Sequence, residues 1–478
     1  MGGTAFTQAA ATGQPTLRTP RMSPEDYARL KTKYAEELRQ YFPHSTVEAL
    51  KEAPGKTDFG DIDFVITAPV DQKLDSLDLA RKLGAKGVIY SSGGGYRRCH
   101  LAVPLDGSKA TEVIPYKHIG GRSNRPGKEV RSMPSTSCQI YKAQLTNSSQ
   151  QQPSETFTEE AYVQLDIELV RPEHMPWFSW YASYGDLGGI LGRMARNLGL
   201  IIADSGLLLR LQELDDTKKQ EYKLQIADKN GLLWLSEDPI KVMELLNLFP
   251  SRFYAGFNTV EEMYAWLGQS RLAAADVLRI KRNTSVDRMK QNKRTIYSTF
   301  MDSWLPDHLG LHVEMEEPND EEYLAEKAAL RIKRQEYRDE ALDYFDKRAE
   351  YEGMRDALVL SINNQIAKHL LRPLVAKHSG SKDLKLSEIN RAFGRWVGCS
   401  DRGVPYVKEE AHSDEESELH NFLNDEKKGL RDEALVDEFV AKHWEELKYL
   451  ERERAKALRP QKEDVDPCMK VSSPVADP

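Results

Sequence analysis

The chain has 478 residues and a net charge of −8, with 67 lysines and arginines against 75 aspartates and glutamates. This length allows two or three domains, and a hydrophobic content of 40% excludes a wholly disordered chain. The sequence contains no run of 18 apolar residues, so it predicts no membrane span. Its four cysteines are scattered and form no CxxC pair, which argues against a zinc ribbon or a disulfide framework. We therefore expect an intracellular protein of the nucleus or cytoplasm, and the acidic balance argues against non-specific coating of nucleic acid.

The N-terminal half predicts a leader, a helix and then a set of strands. Residues 1–22 are rich in Thr, Ala, Gln, Pro and Gly, which is typical of disorder. Ser23-Pro24-Glu25-Asp26 is typical of a helix start, and that helix is expected to end near Tyr41. A second helix is expected over 74–83. Strands are expected at 63–66, 87–90, 100–104, 112–116, 139–141 and 162–170. One strand–helix–strand unit followed by further strands predicts a mixed sheet in an α/β or α+β domain.

The C-terminal half predicts mostly helices. A short β interlude is expected at 207–211 and 231–235. Helices are expected at 238–249, 259–269, 285–305, 319–350, 353–371 and 432–457, because apolar residues recur there at helical spacing.

Two aspartates at the start of an apolar strand are the most informative feature. Asp61 and Asp63 are two residues apart, so in a strand both carboxylates project from one face. Like charges this close repel, and a divalent cation is the usual way to stabilise them. Magnesium suits hard oxygen ligands, and a third carboxylate on a neighbouring strand would complete a two-metal site for in-line phosphoryl transfer.

Asp166 is the candidate for that third carboxylate. The odd positions of the strand at 162–170 are apolar, which places Asp166 on the opposite face between Gln164 and Glu168. A solvent-exposed polar face is the alternative explanation of this pattern.

The order of these motifs resembles a known family. Gly55-Lys56, followed by Gly60-Asp61-Ile62-Asp63, is similar to the palm motif of the nucleotidyltransferase superfamily in its polymerase-β (family X) form. Asp166 in a Leu-Asp-Ile strand resembles the third metal carboxylate of that family. Downstream, residues 180–186 and Ser205-Gly206-Leu207 resemble the segments that discriminate the sugar and lie along the nascent base pair.

The resemblance covers about residues 45–215 and implies an activity. It implies a nucleotidyltransferase palm, an α/β (α+β) domain with a mixed sheet, followed by a mostly α-helical C-terminal half. Asp61, Asp63 and Asp166 would be catalytic and would hold two Mg²⁺ or Mn²⁺ ions, with Asp166 also the best candidate for the general base. The reaction would move a nucleoside monophosphate from an NTP or dNTP to an acceptor hydroxyl, at a nucleic-acid 3′ end.

The resemblance also implies contacts to the nucleotide. The family normally carries Gly-Ser on a helix before the aspartates, whereas this chain has Leu50-Lys51, and Pro54 replaces a family arginine. Other side chains must then hold the triphosphate, sugar and base. The expected nucleotide-binding residues are Lys56, Gly60, Arg97, Arg98, Tyr181, Ser183, Asp186 and Arg193.

These expectations divide the chain into four parts. They are a disordered leader at 1–22, a palm at 23–215 with an insertion at 91–160, a helical region at 216–459 and a disordered tail at 460–478.

Two charged segments are candidate partner surfaces. Residues 271–298 hold eight lysines and arginines against two acids, which fits a solvated helix face or a groove along a nucleic-acid backbone. The charged helix at 319–350, in the helical half, fits a scaffold or a protein-binding helix. Two alternatives to the expected function stay open, a non-catalytic palm that binds a partner and nucleotidyl transfer to a protein or small molecule.

Overall fold

The chain folds into two compact units, each built from two segments. The computed structural model describes residues 3, 5–7, 15–90, 97–116, 160–217, 224–274, 294–310, 320–414, 416–424 and 429–458. The first unit combines Met1–Leu211 with Leu232–Tyr351, and the second combines Gln212–Gly231 with Glu352–Pro478. This division differs from the predicted boundary at residue 215, because Leu232–Tyr351, which follows that boundary, belongs to the same unit as the N-terminal segment.

Several predictions fall outside the described residues. They are the strand at 139–141, the tail at 460–478 and most of the basic stretch at 271–298.

A six-stranded mixed sheet forms the centre of the first unit. Its strands are β1 Val47–Ala49, β2 Asp61–Thr67, β3 Gly87–Tyr90, β4 Arg98–Pro104, β5 Ile114–Tyr116 and β6 Tyr162–Val170. They lie in the order β1-β2-β6-β4-β3-β5. β2 runs parallel to β6 and β3 runs parallel to β5, whereas the other neighbours are antiparallel. The mixed sheet predicted from the sequence is confirmed.

The segment predicted as an insertion contributes to this sheet. β4 and β5 both lie within 91–160, and β4 pairs along its whole length with β6. β4 is therefore a central strand of the domain, so 91–160 is not an insertion throughout.

One face of the sheet is covered by two helices. They are α1 Pro24–Tyr41 and α2 Ser76–Lys82. Ser23 caps α1 as predicted, because its hydroxyl accepts a hydrogen bond of 3.1 Å from the Asp26 N–H. The alternate positions of β2 and β6 that face these helices are buried in one apolar core, which includes Ile62, Phe64 and Leu165. The aspartates between those positions must therefore point to the other face.

The leader packs against that other face instead of being disordered where the structure describes it. Phe6 and Leu17 are buried there with Tyr116, and the Phe6 ring contacts the Tyr116 ring edge-on at a centroid distance of 5.3 Å. Met22, at the end of the leader, is buried in the core on the helix-covered face. Gly87 of β3 leaves room for this contact, since a side chain there would lie within about 3 Å of Phe6 and Leu17. The prediction of disorder was wrong for these residues, because burial of a few apolar side chains anchors a segment whose composition is otherwise polar.

The rest of the first unit is a small sheet and a set of helices. The sheet is antiparallel, with β7 Leu200–Ala203, β8 Gly206–Arg210 and β9 Leu232–Ser236 in that order. Two helices, α3 Met175–Ala182 and α4 Leu187–Ala195, connect β6 to it. The further helices are Pro239–Leu245, Pro250–Ala255, Val260–Gly268, Thr295–Thr299, Phe300–Trp304 (a π-helix), Leu305–His308 and Asp320–Tyr344.

The second unit is mainly helical. Its helices are Gln212–Thr217, most of Arg348–Ser379, Asp383–Trp396 and Glu433–Ala457. Two short ladders join Val397–Cys399 to Pro405–Val407 and Leu423–Asn424 to Gly429–Leu430. Glu451 is buried and accepts hydrogen bonds from Arg395 and from the Trp396 indole, which fixes two of the helices together. Among the described residues of the chain, no helix is both long and apolar enough to span a membrane.

Candidate metal centre

Three aspartates meet where β2 and β6 run side by side. In the register of these parallel strands, Asp63 lies opposite Asp166, and Asp61 lies opposite Gln164. One carboxylate oxygen from each aspartate lies within 4.8 Å of the others, and all three side chains are half-buried. The predicted cluster of Asp61, Asp63 and Asp166 is therefore present.

The surroundings disfavour the ionised form of two of these carboxyl groups. Burial, followed by the charge of Asp166, raises the pKa of Asp61 to about 6. Burial, Asp166 and Asp61 together raise the pKa of Asp63 to about 8. Each negative charge is thus costly beside the others, and a cation that neutralised them would relieve that cost.

Asp166 is held by two neighbours that the sequence analysis did not single out. The His100 Nδ1 atom lies 2.7 Å from Asp166 Oδ1, and the Gln164 amide donates to the same oxygen at 2.7 Å. His100 is the residue of β4 that lies directly opposite Asp166. Burial, the largest single effect, would lower the pKa of His100, but the hydrogen bond to Asp166 and the charges of Asp166 and Glu168 together outweigh burial and raise it. His100 therefore orients Asp166 and partly offsets its charge.

A second acidic and basic pair lies next to the aspartates. Lys56 forms an ion pair with Glu52, and its ammonium group lies 5.0 Å from the centre of the Phe59 ring. The charge of Glu52 raises the pKa values of Asp61 and Asp63, whereas that of Lys56 lowers them. Lys56 is thus near enough to the aspartates for its predicted role. Glu52 is a fourth carboxylate of the site that the motif did not reveal.

Two further predicted residues differ in how they relate to the site. Gly60 is buried directly before Asp61. Arg98 lies on the same face of β4 as His100 and forms an ion pair with Glu168 of β6. About half of the Arg98 side chain is exposed, so its guanidinium is accessible at the rim of the polar face.

The hydrogen bonds of Arg97 are made within the fold. Its guanidinium donates to the backbone carbonyls of Ala68, Pro69, Val70 and Leu169 at 2.7–3.1 Å. The Ala68, Pro69 and Val70 carbonyls follow the far end of β2, and the Leu169 carbonyl lies near the end of β6. At about 3.3 Å per residue, the last residue of β2, Thr67, is roughly 13 Å from Asp63. Arg97 joins the ends of β2 and β6, so the structure gives its predicted contact with the nucleotide no support, and that contact stays a prediction.

Ser183 is also committed to the fold. It is buried, and its hydroxyl accepts a hydrogen bond of 3.3 Å from the Lys51 N–H. The next residue, Tyr184, donates its N–H to the Lys51 carbonyl at 2.6 Å and packs its ring edge-on against Phe253. The Lys51 ammonium donates to the Tyr254 carbonyl at 2.8 Å. These contacts connect the loop before β2 to the helices that follow it, so the predicted sugar contact of Ser183 is not supported.

The remaining predicted residues lie on α3 and α4. Tyr181 is half-buried and lines a small cavity of about 120 Å³ beside the glycines of α4. Asp186 accepts a hydrogen bond of 2.7 Å from Arg294, at the described end of the basic stretch. Arg193 is half-buried, and its Nη1 atom has no hydrogen-bond partner among the described residues. Within the described part of the chain, no hydrogen bond or ion pair connects these three residues to the aspartates.

The donor set fits a hard divalent cation. Three carboxylates offer only oxygen atoms, which suit Mg²⁺ or Mn²⁺, and the half-buried positions leave room for water or a phosphate to complete the coordination.

In comparisons with known proteins, no protein-family model matches this chain, and no curated protein matches it.

Proposed function

We propose that this protein is a metal-dependent nucleotidyltransferase that moves a nucleoside monophosphate from a nucleoside triphosphate to the 3′-hydroxyl of a nucleic acid. The observation that carries the proposal is the cluster of Asp61, Asp63 and Asp166 on adjacent parallel strands. The palm-like resemblance of the sequence supports the same reaction, because the paired aspartates, the third aspartate and the downstream segment come in the same order along the chain as in that family.

The chain's own residues would act on the acceptor and on the phosphates. Mg²⁺ or Mn²⁺ bound by the three aspartates would supply the positive charge that phosphoryl transfer requires. Asp166, oriented by His100, would accept the proton of the acceptor hydroxyl. The acceptor oxygen then bonds to the α-phosphorus, the bond from that phosphorus to the bridging oxygen breaks, and pyrophosphate leaves. Arg98 and Lys56 would contact the phosphates at the rim.

A non-catalytic palm that binds a partner is the second candidate. It is favoured by one observation, that Arg97 and Ser183 are committed to the fold and are not free for a nucleotide. Retention of three clustered carboxylates favours the enzyme instead. The pKa values of Asp61 and Asp63 are raised, so without a bound cation the negative charges of this cluster destabilise the fold.

The proposed reaction is tested by following labelled nucleotides. The full chain is incubated with each α-labelled triphosphate and Mg²⁺ or Mn²⁺, with and without oligonucleotides, and the labelled product is identified. We expect label on the oligonucleotide with the native chain, none with Asp63→Asn, and native yield with Asp71→Asn, an exposed aspartate near the end of β2.

The other outcomes separate the alternatives. Label on the protein or on a small molecule would replace the nucleic-acid acceptor. Absence of any transfer with all triphosphates and both metals would favour the non-catalytic palm.

A further inference from the structure

The second unit contains a large groove that is separate from the carboxylates. It has a volume of about 960 Å³ and is lined by the segment at 224–230 and by two helices, Arg348–Ser379 and Asp383–Trp396. The segment is tied to the first helix, because the Gln225 N–H donates to the Gln365 amide oxygen at 2.8 Å. Such a volume is at the upper end of the ~300–1,000 Å³ typical of small-molecule sites.

The lining of this groove is positively charged, although the whole chain is acidic. Lys229, Lys368, Arg372 and Arg391 line it against a single carboxylate, Asp414, which gives a formal charge of +3. Asp414 lies 3.3 Å from Lys368. Within the described part of the chain, the other three cations have no ion pair. Four cations that line one groove with a single carboxylate repel each other, and an anionic ligand would relieve that repulsion.

The cations and amides follow the direction of the groove. Ser361, Gln365, Lys368 and Arg372 are spaced by four, three and four residues, so they lie along one side of their helix. This row covers roughly 16 Å at 1.5 Å per residue. A row of this length suits an extended polyanion better than a single phosphate.

An open hydrogen-bond acceptor lies in the same wall. Asn390 is 9% exposed, and its amide nitrogen donates to the Leu386 carbonyl at 2.8 Å. Its Oδ1 atom is buried and has no partner among the described residues. A buried acceptor without a partner is costly, and the amino group of a base or a sugar hydroxyl would satisfy it. Among the described lining residues there is no Phe, Tyr or Trp, and the imidazole of His369 is the one aromatic ring, so we expect backbone contacts rather than a row of stacked bases to dominate recognition.

We propose that this groove binds a nucleic-acid strand through its phosphate backbone. The choice of nucleic acid among polyanions rests on the proposed nucleotidyltransferase function, and the strand would then be the acceptor. Arginine and lysine would contact the phosphates, and Asn390 would contact a base or sugar edge.

Fluorescence anisotropy with a labelled single-stranded oligonucleotide tests the proposal. The strand has about 20 nucleotides, longer than the ~4–16 covered by a typical single-strand module. The full chain is titrated at several salt concentrations in EDTA without triphosphate. The groove variant is Lys229→Gln, Arg372→Gln and Arg391→Gln together. A second variant, Lys281→Gln, Lys290→Gln and Lys293→Gln, changes the basic stretch by the same charge. Lys442→Gln, exposed on another helix of this unit, is the single-charge control.

We expect the groove variant to lose about tenfold or more in affinity and the slope of log K against log salt to fall by about 2, at ~0.7 per phosphate contact. The control should bind like the native chain, and all variants should stay folded, with melting temperatures no lower than that of the native chain. Native affinity of the groove variant, with loss only in the basic-stretch variant, would overturn the proposal. Equal competition by a mononucleotide would also overturn it in favour of a small phosphorylated ligand. Because EDTA removes the metal from the readout, a failure here is distinct from a failure of the transfer reaction.

Discussion

At the scale of single residues, the charge of Asp166 affects the pKa values of Asp61 and Asp63 more strongly than the opposite charge of Lys56 does. Burial and the neighbouring acids raise the pKa values of Asp61 and Asp63 to about 6 and about 8, from a reference value of 3.8. Each group therefore holds its proton more tightly in the folded chain than in the unfolded chain. Its contribution to stability is fully present below about pH 4 and is lost as the pH rises through the folded pKa values.

Asp63→Asn is expected to weaken this pH dependence, because it removes the larger of the two pKa shifts. An amide carries no charge to be repelled, so the metal-free variant should melt at a higher temperature than the native chain at pH 8. The difference should shrink toward pH 5, where Asp63 is protonated. Mg²⁺ should raise the melting temperature of the native chain at pH 8 and should have a smaller effect on the variant, because ligand binding to the folded state stabilises it.

Thermal melts from pH 5 to pH 8, with EDTA or Mg²⁺, check this expectation. Asp71→Asn is the matched control and should follow the native chain. A metal-free Asp63→Asn variant that is less stable than the native chain at pH 8 would contradict the electrostatic account.

His100→Ala is expected to weaken metal binding without abolishing the fold. The variant removes the 2.7 Å contact that orients Asp166, and loss of such a supporting hydrogen bond typically lowers metal affinity about 10–100-fold. His100→Gln should restore part of the affinity, since an amide can still donate to Asp166.

Mn²⁺ titration by calorimetry measures the effect of His100. His174→Ala is the matched control, because His174 lies 2.7 Å from Glu237 in a similar contact outside the centre. Equal losses of Mn²⁺ affinity in the two histidine variants would show that His100 has no specific role.

At the scale of elements, the two parallel strands β2 and β6 position the centre, and β4 completes it. Alternation of apolar and polar residues predicted the face on which Asp61, Asp63 and Asp166 lie, because side chains of a strand alternate between faces. The same alternation cannot say which strand becomes a neighbour. The contact of His100 with Asp166 depends on the antiparallel pairing of β4 and β6, and for that reason the sequence did not reveal it.

Arg97→Ala and Arg98→Ala are expected to have different effects, although the residues are adjacent. Arg97 donates to four backbone carbonyls at the ends of β2 and β6. Its loss should lower the free energy of unfolding by about 2–4 kcal/mol, since each hydrogen bond to a charged group contributes about 1.5–3 kcal/mol and such contributions do not add fully. Arg98 makes a half-exposed ion pair, so its loss should cost about 0–1 kcal/mol and instead raise KM for the triphosphate.

Urea denaturation and steady-state kinetics distinguish the two arginine variants. If Arg97→Ala kept native stability and raised KM, then the triphosphate role first predicted for this residue would be correct, and its structural role would be wrong.

At the scale of the whole molecule, the structure agrees with the predictions that rest on the strongest sequence patterns and differs from those that rest on weaker ones. The mixed sheet and the aspartate cluster followed from periodicity and spacing. The packing of the leader was not predicted, because Phe6 and Leu17 lie in a segment whose average composition is polar, although both residues are buried. The division into units was not predicted either, since it depends on which segments pack together over long separations in sequence.

The net charge of −8 also conceals a local reversal. The groove of the second unit carries a formal +3, built from cations that are distant in sequence, including Lys229 and Arg391. Only the fold brings them to one surface, so charge counting along the chain identified the stretch at 271–298 and not this groove.

Counting bound Mn²⁺ by electron paramagnetic resonance tests the central claim most directly, that Asp61, Asp63 and Asp166 form a divalent-metal site. The native chain is compared with a variant in which all three are asparagine. We predict that the native chain removes free Mn²⁺ from solution and that the variant, while folded, does not. Equal binding of Mn²⁺ by the two chains would contradict the metal site and the reaction proposed from it.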